Sequence, residues 1–311
     1  MRVAVYGAGG IGAYFGGRLA ASGVDVALIA RGEHLQALRT DGLHVRSPKG
    51  DIDVTLTATD DPAEIGPVDI VLFTVKSQDT PAAARRLGPL LHPDTAVVSL
   101  QNGLGNEEAI AAEIGAHHTL GGVVYLLSTI SEPGTVVHSA GGAMLIFGEL
   151  DGERTERAGR LYAALRDAGV DATLSLDVRQ AIWDKFAFIC ALSGMTAAVR
   201  LPIGAIRSEP ASWRMFRDVL REAAAVAAAE GVELSDETIA RHEFFAQELE
   251  PGTHSSLHYD MTHGKPMELD ALHGELLRRA DAHSVAVPVT RAIVGILAPW
   301  AARNAAVGFD G

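Results

Sequence analysis

At 311 residues, 48% of them hydrophobic, the chain is long enough for two domains, each with a core of its own. Acidic residues outnumber basic ones by 39 to 26, and no block of Lys and Arg breaks the net charge of −13, which excludes nucleic acid and an anionic membrane as partners. The single cysteine, Cys190, excludes an internal disulfide framework and fits a reducing cytoplasm.

The first apolar run, Arg2-Val3-Ala4-Val5-Tyr6, is too short for a signal peptide and leads straight into glycines. No stretch reaches the length expected of a transmembrane helix, so the expectation is a soluble, cytoplasmic chain. Residues 3–6 read as a buried strand, 11–22 as a helix ended by Gly23, and 24–29 as a second strand. Further strands are expected at 70–75, 96–100 and 122–127. This alternation predicts a parallel sheet with helices on both faces. Residues 134–148 look different: Val136-Val137-His138 and 143–147 flank Gly141-Gly142, which predicts an antiparallel hairpin turning at that glycine pair and closing the sheet edge. Beyond about Asp177 strand signals vanish and apolar-periodic helices follow, over 178–199, 210–230, 235–248, 267–283 and 288–305. Ser235 is the expected start of the third of these, and Gly231 the expected end of the second. The fold class is therefore α/β, with an N-terminal dinucleotide-binding Rossmann domain over 1–175 and an all-α C-terminal domain over 176–311.

The Rossmann reading rests on Gly7-Ala8-Gly9-Gly10-Ile11-Gly12, a G-x-G-x-x-G match that follows a strand and opens a helix. Gly7 allows the tight turn, Gly9 lets the backbone approach a pyrophosphate, and Gly12 lets helix and strand pack closely, with Gly16 and Gly17 extending that face. The second strand runs into Ala30-Arg31-Gly32, where an NAD site carries an acid for the ribose 2′-OH. A guanidinium pairs with a phosphate instead, so Arg31 points to NADP, although Glu33 stands close by.

Lys76 and the run Gln101-Asn102-Gly103 follow two later strands, at the carboxyl edge where open sheets bind ligands. The helix over 178–199 is apolar nearly all round, yet carries Lys185. A buried lysine loses pKa and becomes a better proton donor; the alternative is a snorkelling side chain paired with Asp184 or another acid. Lys185, Ile189 and Ser193 share one helix face, with Thr196 a step further on.

Taken together, Gly7 to Gly12, Thr74-Val75-Lys76, Gln101-Asn102-Gly103, Trp183-Asp184-Lys185-Phe186, and Ser255-Ser256-Leu257 through Asp260 to Glu268-Leu269-Asp270 make the chain resemble the ketopantoate reductase (2-dehydropantoate 2-reductase) family over nearly its whole length. The resemblance implies NADPH-dependent reduction of a 2-keto acid, ketopantoate to pantoate in pantothenate biosynthesis, at the junction of the two domains. It also implies a 6-phosphogluconate dehydrogenase C-terminal-like helical domain. Lys185 then matches the general acid and Glu268 its acidic partner. Asn102 matches a residue touching both cofactor and substrate, Lys76 one near the nicotinamide, Ser256 one at the substrate carboxylate, and Arg31 the reader of the 2′-phosphate. Gly7, Ala8, Gly9, Gly10, Ile11 and Gly12 complete the cofactor site. One departure stands out. The family often has asparagine one turn after the lysine and again a turn later, where this chain has Ile189 and Ser193. That change leaves proton transfer intact and admits a more apolar 2-keto acid. The partners expected are this small molecule and, for assembly, a second copy in a homodimer.

His254, His258 and His263 with Asp260 are the nearest thing to a metal set, but they lack the H-E-x-x-H pattern and no metal is expected. Cys190, in an apolar helix, reads as a packed core thiol, and Trp213 with Phe216 as core or a subunit contact. Other readings are a non-catalytic NADP-binding redox sensor, which would not need Lys185 and Glu268, and another two-domain dehydrogenase.

Overall fold

A computed structural model describes residues 1–306, apart from the side-chain positions of residues 140 and 141. The chain divides into two compact units, one of Met1–Gln101 and Gly105–Arg179, the other of Asn102–Leu104 and the residues from Gln180 onward.

The first unit holds one ten-stranded sheet: β1 (Arg2–Tyr6), β2 (Asp25–Ile29), β3 (Leu43–Arg46), β4 (Ile52–Val54), β5 (Thr57–Thr59), β6 (Ile70–Phe73), β7 (Ala96–Ser99), β8 (Thr119–Glu132), β9 (Thr135–Glu149) and β10 (Asp171–Leu174). The order is β4-β3-β9-β8-β7-β6-β1-β2-β5, with β10 also paired to β9. The β7-β6-β1-β2-β5 half is parallel throughout, as βαβ connections require. Its strands are apolar on both faces. Val3 and Val5 pack into one core with Tyr14 and Phe15, while Ala4 and Tyr6 pack into another with Phe73 and Leu87. Alternate residues point to opposite sides, so both faces of the sheet are covered.

The antiparallel hairpin exists, but its turn is not at Gly141-Gly142, and it does not close the sheet edge, because β3 pairs with β9 and β4 lies beyond it. Strands β8 and β9 pair from Glu132 opposite Thr135, leaving Pro133-Gly134 as the turn, with Gly134 at φ +79°. Proline supplies a preset φ and glycine the left-handed one that a tight turn needs. The Gly141-Gly142 pair lies inside β9. Tyr125 pairs with Met144 and Leu127 with Ala140, so β9 carries extra residues there and the pair marks a bulge.

The second unit is helical. Its helices include Val178–Val199, Ile203–Ser208, Pro210–Ala229, Asp236–Glu248, Ser256–Thr262, Glu275–Ala282 and Pro288–Ala306. Ser235 caps its helix by accepting the Thr238 N–H, and Gly231 follows the end of Pro210–Ala229 at φ +80°. The Glu222 carboxylate accepts the Val289 and Thr290 N–H groups, which closes the start of the last helix. Residues 267–283 are not one regular α-helix. A π turn over Asp270–Gly274 precedes Glu275–Ala282. At this turn the buried His273 ring donates from Nε2 to the Cys190 carbonyl at 2.9 Å. The ring lies against Gly194, where a Cβ would come within 2.6 Å of Nε2.

Helix Val178–Val199 is long and apolar enough to cross a membrane by length and composition, contrary to the sequence expectation. Trp183, Phe186, Ala187, Cys190, Ala191, Met195 and Ala197 on it are buried in the helical core, with Phe216, Leu272 and Ile293. Trp213 stacks on Phe216 at 4.9 Å, and burial pushes the Cys190 thiol pKa up.

Candidate functional site

The glycine loop is built as its spacing demands. Gly7 has φ +103°, and the N–H groups of Gly7 and Ala8 both donate to the Ile29 carbonyl, at 3.1 and 3.0 Å. Gly9 has nothing within 4 Å of where a Cβ would stand, which leaves space above the loop open. A Cβ on Gly12 would strike the Gly7 carbonyl and come within 2.5 Å of Thr74 Oγ1 and 2.7 Å of Val5. Gly16 and Gly17 also meet side chains at about van der Waals contact or closer, Leu28 for one and Val45 for the other. Gly10 has a further reason to be glycine: a Cβ there would run into the Ser128 carbonyl and the Thr129 nitrogen of β8. Helix Gly10–Ala21 starts here with Gly9 as its cap residue, so its first N–H groups face the open space.

A cleft of about 480 Å³ lies along this loop, lined by Gly7, Ala8, Gly9, Arg31, Lys76 and Ile130 among others. Arg31 is exposed, with Nη2 3.9 Å from the Asp79 carboxylate. Glu33 is not among the described lining residues. Among the polar and charged lining residues, His34, Asp60, Asp79 and Arg86 went unnoticed in the sequence. Arg86 donates to the Asp60 carbonyl at 3.1 Å, which fixes a second guanidinium beside the cleft. No local motif marks it, because a helix-flanking arginine reads as solvated surface.

A glycine-walled pocket at a helix N-terminus, with Arg31, Arg86 and Lys76 on its rim, has the shape and donor set for a dinucleotide diphosphate. Thr74 ties the end of β6 to the loop by donating to the Gly7 carbonyl at 2.6 Å. Gln101 bridges two carboxyl-edge loops through Val75 O at 2.9 Å and Thr80 Oγ1 at 2.6 Å.

In the helical unit, Lys185 Nζ donates to Asn102 Oδ1 at 2.7 Å. The two residues lie 83 positions apart, and Asn102–Leu104 packs with this unit although the sequence around it belongs to the other. Gly103 at φ +97° and Gly105 at φ +82° make that excursion possible. Leu104 anchors it in the helical core. Burial lowers the Lys185 pKa to about 8. Asp184 is not its counterion. That carboxylate accepts from Arg241 Nη2 and from His242 Nε2, each at 2.8 Å. Burial pushes the Asp184 carboxyl up, but His242 and Arg241 outweigh it and leave the pKa low.

The remaining candidates fall in the same unit. Ile189 is half-buried and Ser193 is 2% exposed, its hydroxyl sealed in the core. Ser256 is exposed in the first turn of its short helix, capped by Ser255 Oγ, which accepts the His258 N–H at 3.1 Å. Glu268 is half-buried just ahead of the π turn, its carbonyl accepting the Leu272 N–H. His254 stacks on His258 and Tyr259 on His263; among the described residues no His, Cys, Asp and Glu group has the makings of a metal site.

The sequence model of the PanE/ApbA ketopantoate reductase family matches residues 3–152, and that of its C-terminal part residues 177–300. The chain belongs to the ketopantoate reductase family. It is 34% identical to a 2-dehydropantoate 2-reductase of Halobacterium salinarum, over 96% of this chain and 98% of that one. A PanE/ApbA family ketopantoate reductase from Ralstonia eutropha JMP134 superposes with a TM-score of 0.89 at 35% identity, covering 98% of this chain and 100% of that one. A 2-dehydropantoate 2-reductase from Geobacter metallireducens GS-15 also scores 0.89, at 32% identity, with 96% and 99% covered. Membership makes the order Rossmann-like α/β unit, then all-α unit, a family property.

Proposed function

We propose that this protein reduces a 2-keto acid to the 2-hydroxy acid with NADPH, with ketopantoate as substrate and pantoate as product, in pantothenate biosynthesis. The observation that carries the reading is the Lys185 ammonium on the largely apolar helix Val178–Val199, held at 2.7 Å on Asn102 in a chain of this family. NADPH, when bound, supplies a hydride to the keto carbon. Negative charge then grows on the carbonyl oxygen. Lys185 stabilises that charge and gives up its proton to the oxygen, a contribution of about 10²–10⁴-fold. Asn102 aims the ammonium by accepting one of its three N–H bonds. Glu268 is assigned, from the family pattern, the task of keeping the lysine charged, and Ser256 that of holding the substrate carboxylate. Gly7, Ala8, Gly9, Gly10, Ile11, Gly12, Arg31 and Lys76 would hold the dinucleotide. A 6-phosphogluconate dehydrogenase C-terminal-like fold for the helical unit, a cytoplasmic homodimer and NADP rather than NAD complete the proposal.

The test is loss of NADPH absorbance when ketopantoate is added. Turnover supports the reading. NADPH binding without oxidation by any 2-keto acid would leave a redox sensor in its place. A second reading has Ile189 behind it: an aliphatic side chain one turn from Lys185 favours a more apolar 2-keto acid. A buried substrate hydroxyl left unpaired against it would cost about 1–3 kcal/mol. A higher kcat/KM for such an acid than for ketopantoate would decide for it.

Arg31→Ala should weaken NADPH about tenfold or more and NADH little, since one charge-assisted phosphate contact is worth roughly 1.5–3 kcal/mol. Fluorescence titration with both nucleotides measures this; equal weakening would remove Arg31 from the 2′-phosphate. The pH profile follows from the lowered lysine pKa. Below about 8 the free enzyme carries the acid form, and above it that form is lost. Reduction, followed as kcat/KM, should be flat on the acid side and fall about tenfold per pH unit above that value. A profile flat to pH 10 would show that another group supplies the proton.

A further inference from the structure

We propose that His34 is a positioning residue for the dinucleotide loop, working as a fixed neutral tautomer that ties the loop to the hairpin turn. This rests on the dinucleotide reading above and goes beyond it, because the residue matches no part of the G-x-G-x-x-G pattern.

His34 stands in the first turn of helix Gly32–Thr40, half-buried, and lines the cleft. Its ring makes two hydrogen bonds to backbone far away in sequence. Nε2 lies 2.8 Å from the Ala8 carbonyl, and Nδ1 lies 3.0 Å from the Gly134 nitrogen. A carbonyl can only accept and an amide N–H can only donate. The proton therefore sits on Nε2 and the lone pair on Nδ1. A charged ring, with N–H at both nitrogens, would set two donors against each other at Gly134. Burial lowers the His34 pKa, and the bond to the Ala8 carbonyl only partly offsets this, so the neutral form is favoured.

The Ala8 carbonyl is in the same peptide plane as the Gly9 N–H. That N–H is itself held by the Gly7 carbonyl at 2.8 Å, and the Ala8 N–H by Ile29. With His34 on the carbonyl, the loop is held along its whole crest. Gly9, the residue with open space above it, is thereby presented at one orientation. At the other end, the Gly134 carbonyl accepts the His44 N–H at 2.9 Å, so the turn is anchored to β3. Gly134 lies close enough to the His34 helix that a Cβ would be 3.1 Å from Ala37. Three segments, residues 8, 34 and 134, are thus joined through one imidazole. The hairpin they fix also carries Ile130, which lines the same cleft.

The test compares the parent chain with His34→Leu and His34→Gln. Leucine fills the space without hydrogen bonds. Glutamine keeps one donor and one acceptor at similar reach. The expected result is that NADPH affinity, from fluorescence titration without substrate, falls about tenfold in H34L. It should recover most of that loss in H34Q. In the free protein, ¹⁵N NMR of the ring should show a neutral, Nε2-protonated His34 at pH 7, and hydrogen exchange at the Gly134 amide should speed up in H34L. Equal NADPH affinity in all three proteins, or a ring protonated on Nδ1 or on both nitrogens, would overturn the inference alone. A parent chain that binds neither NADPH nor NADH would overturn the proposed function and this inference with it. Should H34L fail to fold, the H34Q affinity and the parent's ring spectrum still decide.

Discussion

Lys185→Met is expected to lose about 10²–10⁴-fold in kcat for ketopantoate reduction while binding NADPH as the parent does. The asymmetry follows from where the residue sits. Lys185 belongs to the helical unit and hydrogen-bonds Asn102 there, whereas the glycine loop, Arg31 and Lys76 form a cleft within the other unit. Methionine has nearly the same length and apolar volume, so the packing of helix Val178–Val199 should survive. Stability should not fall either. An amine whose pKa drops to about 8 on folding, from 10.5, binds protons more weakly folded than unfolded. Folding therefore gains stability as pH rises from about 8 toward 10.5, and the charged form is the costly one below that window. The Tm of Lys185→Met at neutral pH should match or exceed the parent's, and its further rise at alkaline pH should vanish. Stopped-flow kinetics, nucleotide titration and thermal melts at two pH values check the three parts. Retained turnover would remove the lysine from proton transfer. Asn102→Ala should show a smaller version of the same effect, because the ammonium survives but loses the acceptor that aims it.

Much of this was legible in the sequence, for identifiable reasons. The glycine loop and its strands are governed by local sterics: Gly7 takes the left-handed turn and Gly12 the close packing that their spacing assigns, and Gly9 faces open space. Helix Val178–Val199 announces itself by apolar periodicity, and its bounds agree with the pattern. What was misread depends on contacts that are distant in sequence. Gly141-Gly142 has turn composition, but pairing with β8 runs through it and makes it a bulge, while Pro133-Gly134 takes the turn. The regular helix expected over 267–283 gives way to a π turn where the His273 ring reaches Cys190 across a gap left by Gly194. Asp184 looks like the natural partner of the adjacent lysine, yet consecutive residues diverge by about 100° around a helix, and Arg241 with His242 claims it instead. Asn102 could be placed at the ligand-binding edge from its strand, but its role came only from the family pattern. Its place beside Lys185 depends on two left-handed glycines whose effect a linear reading does not show. His34 gave no signal at all, because its two acceptor and donor groups are main-chain atoms.

The pair Gly9→Ala and Gly12→Ala separates binding from folding at the loop. Both replace a motif glycine with the same methyl group, and neither glycine has a left-handed φ, so backbone strain is the same small matter in each. Their surroundings differ. At Gly12 the methyl would collide with the Gly7 carbonyl and with Thr74 Oγ1, the two atoms whose hydrogen bond ties the loop to β6, and would press on Val5 beneath. Backbone cannot yield cheaply in a packed strand–helix junction, and overpacking of this kind costs about 1–3 kcal/mol or more. Gly12→Ala should therefore lower the Tm by several degrees and lose NADPH binding with it. At Gly9 the methyl meets no protein atom within 4 Å. The Tm should stay at the parent value, while the methyl occupies the space proposed for the pyrophosphate and NADPH affinity drops at least tenfold. Thermal melts without nucleotide and fluorescence titration with it read the two effects independently. Undiminished NADPH affinity in Gly9→Ala would mean that the open space over the loop is not where the diphosphate lies, and the glycines would be left with a purely structural role.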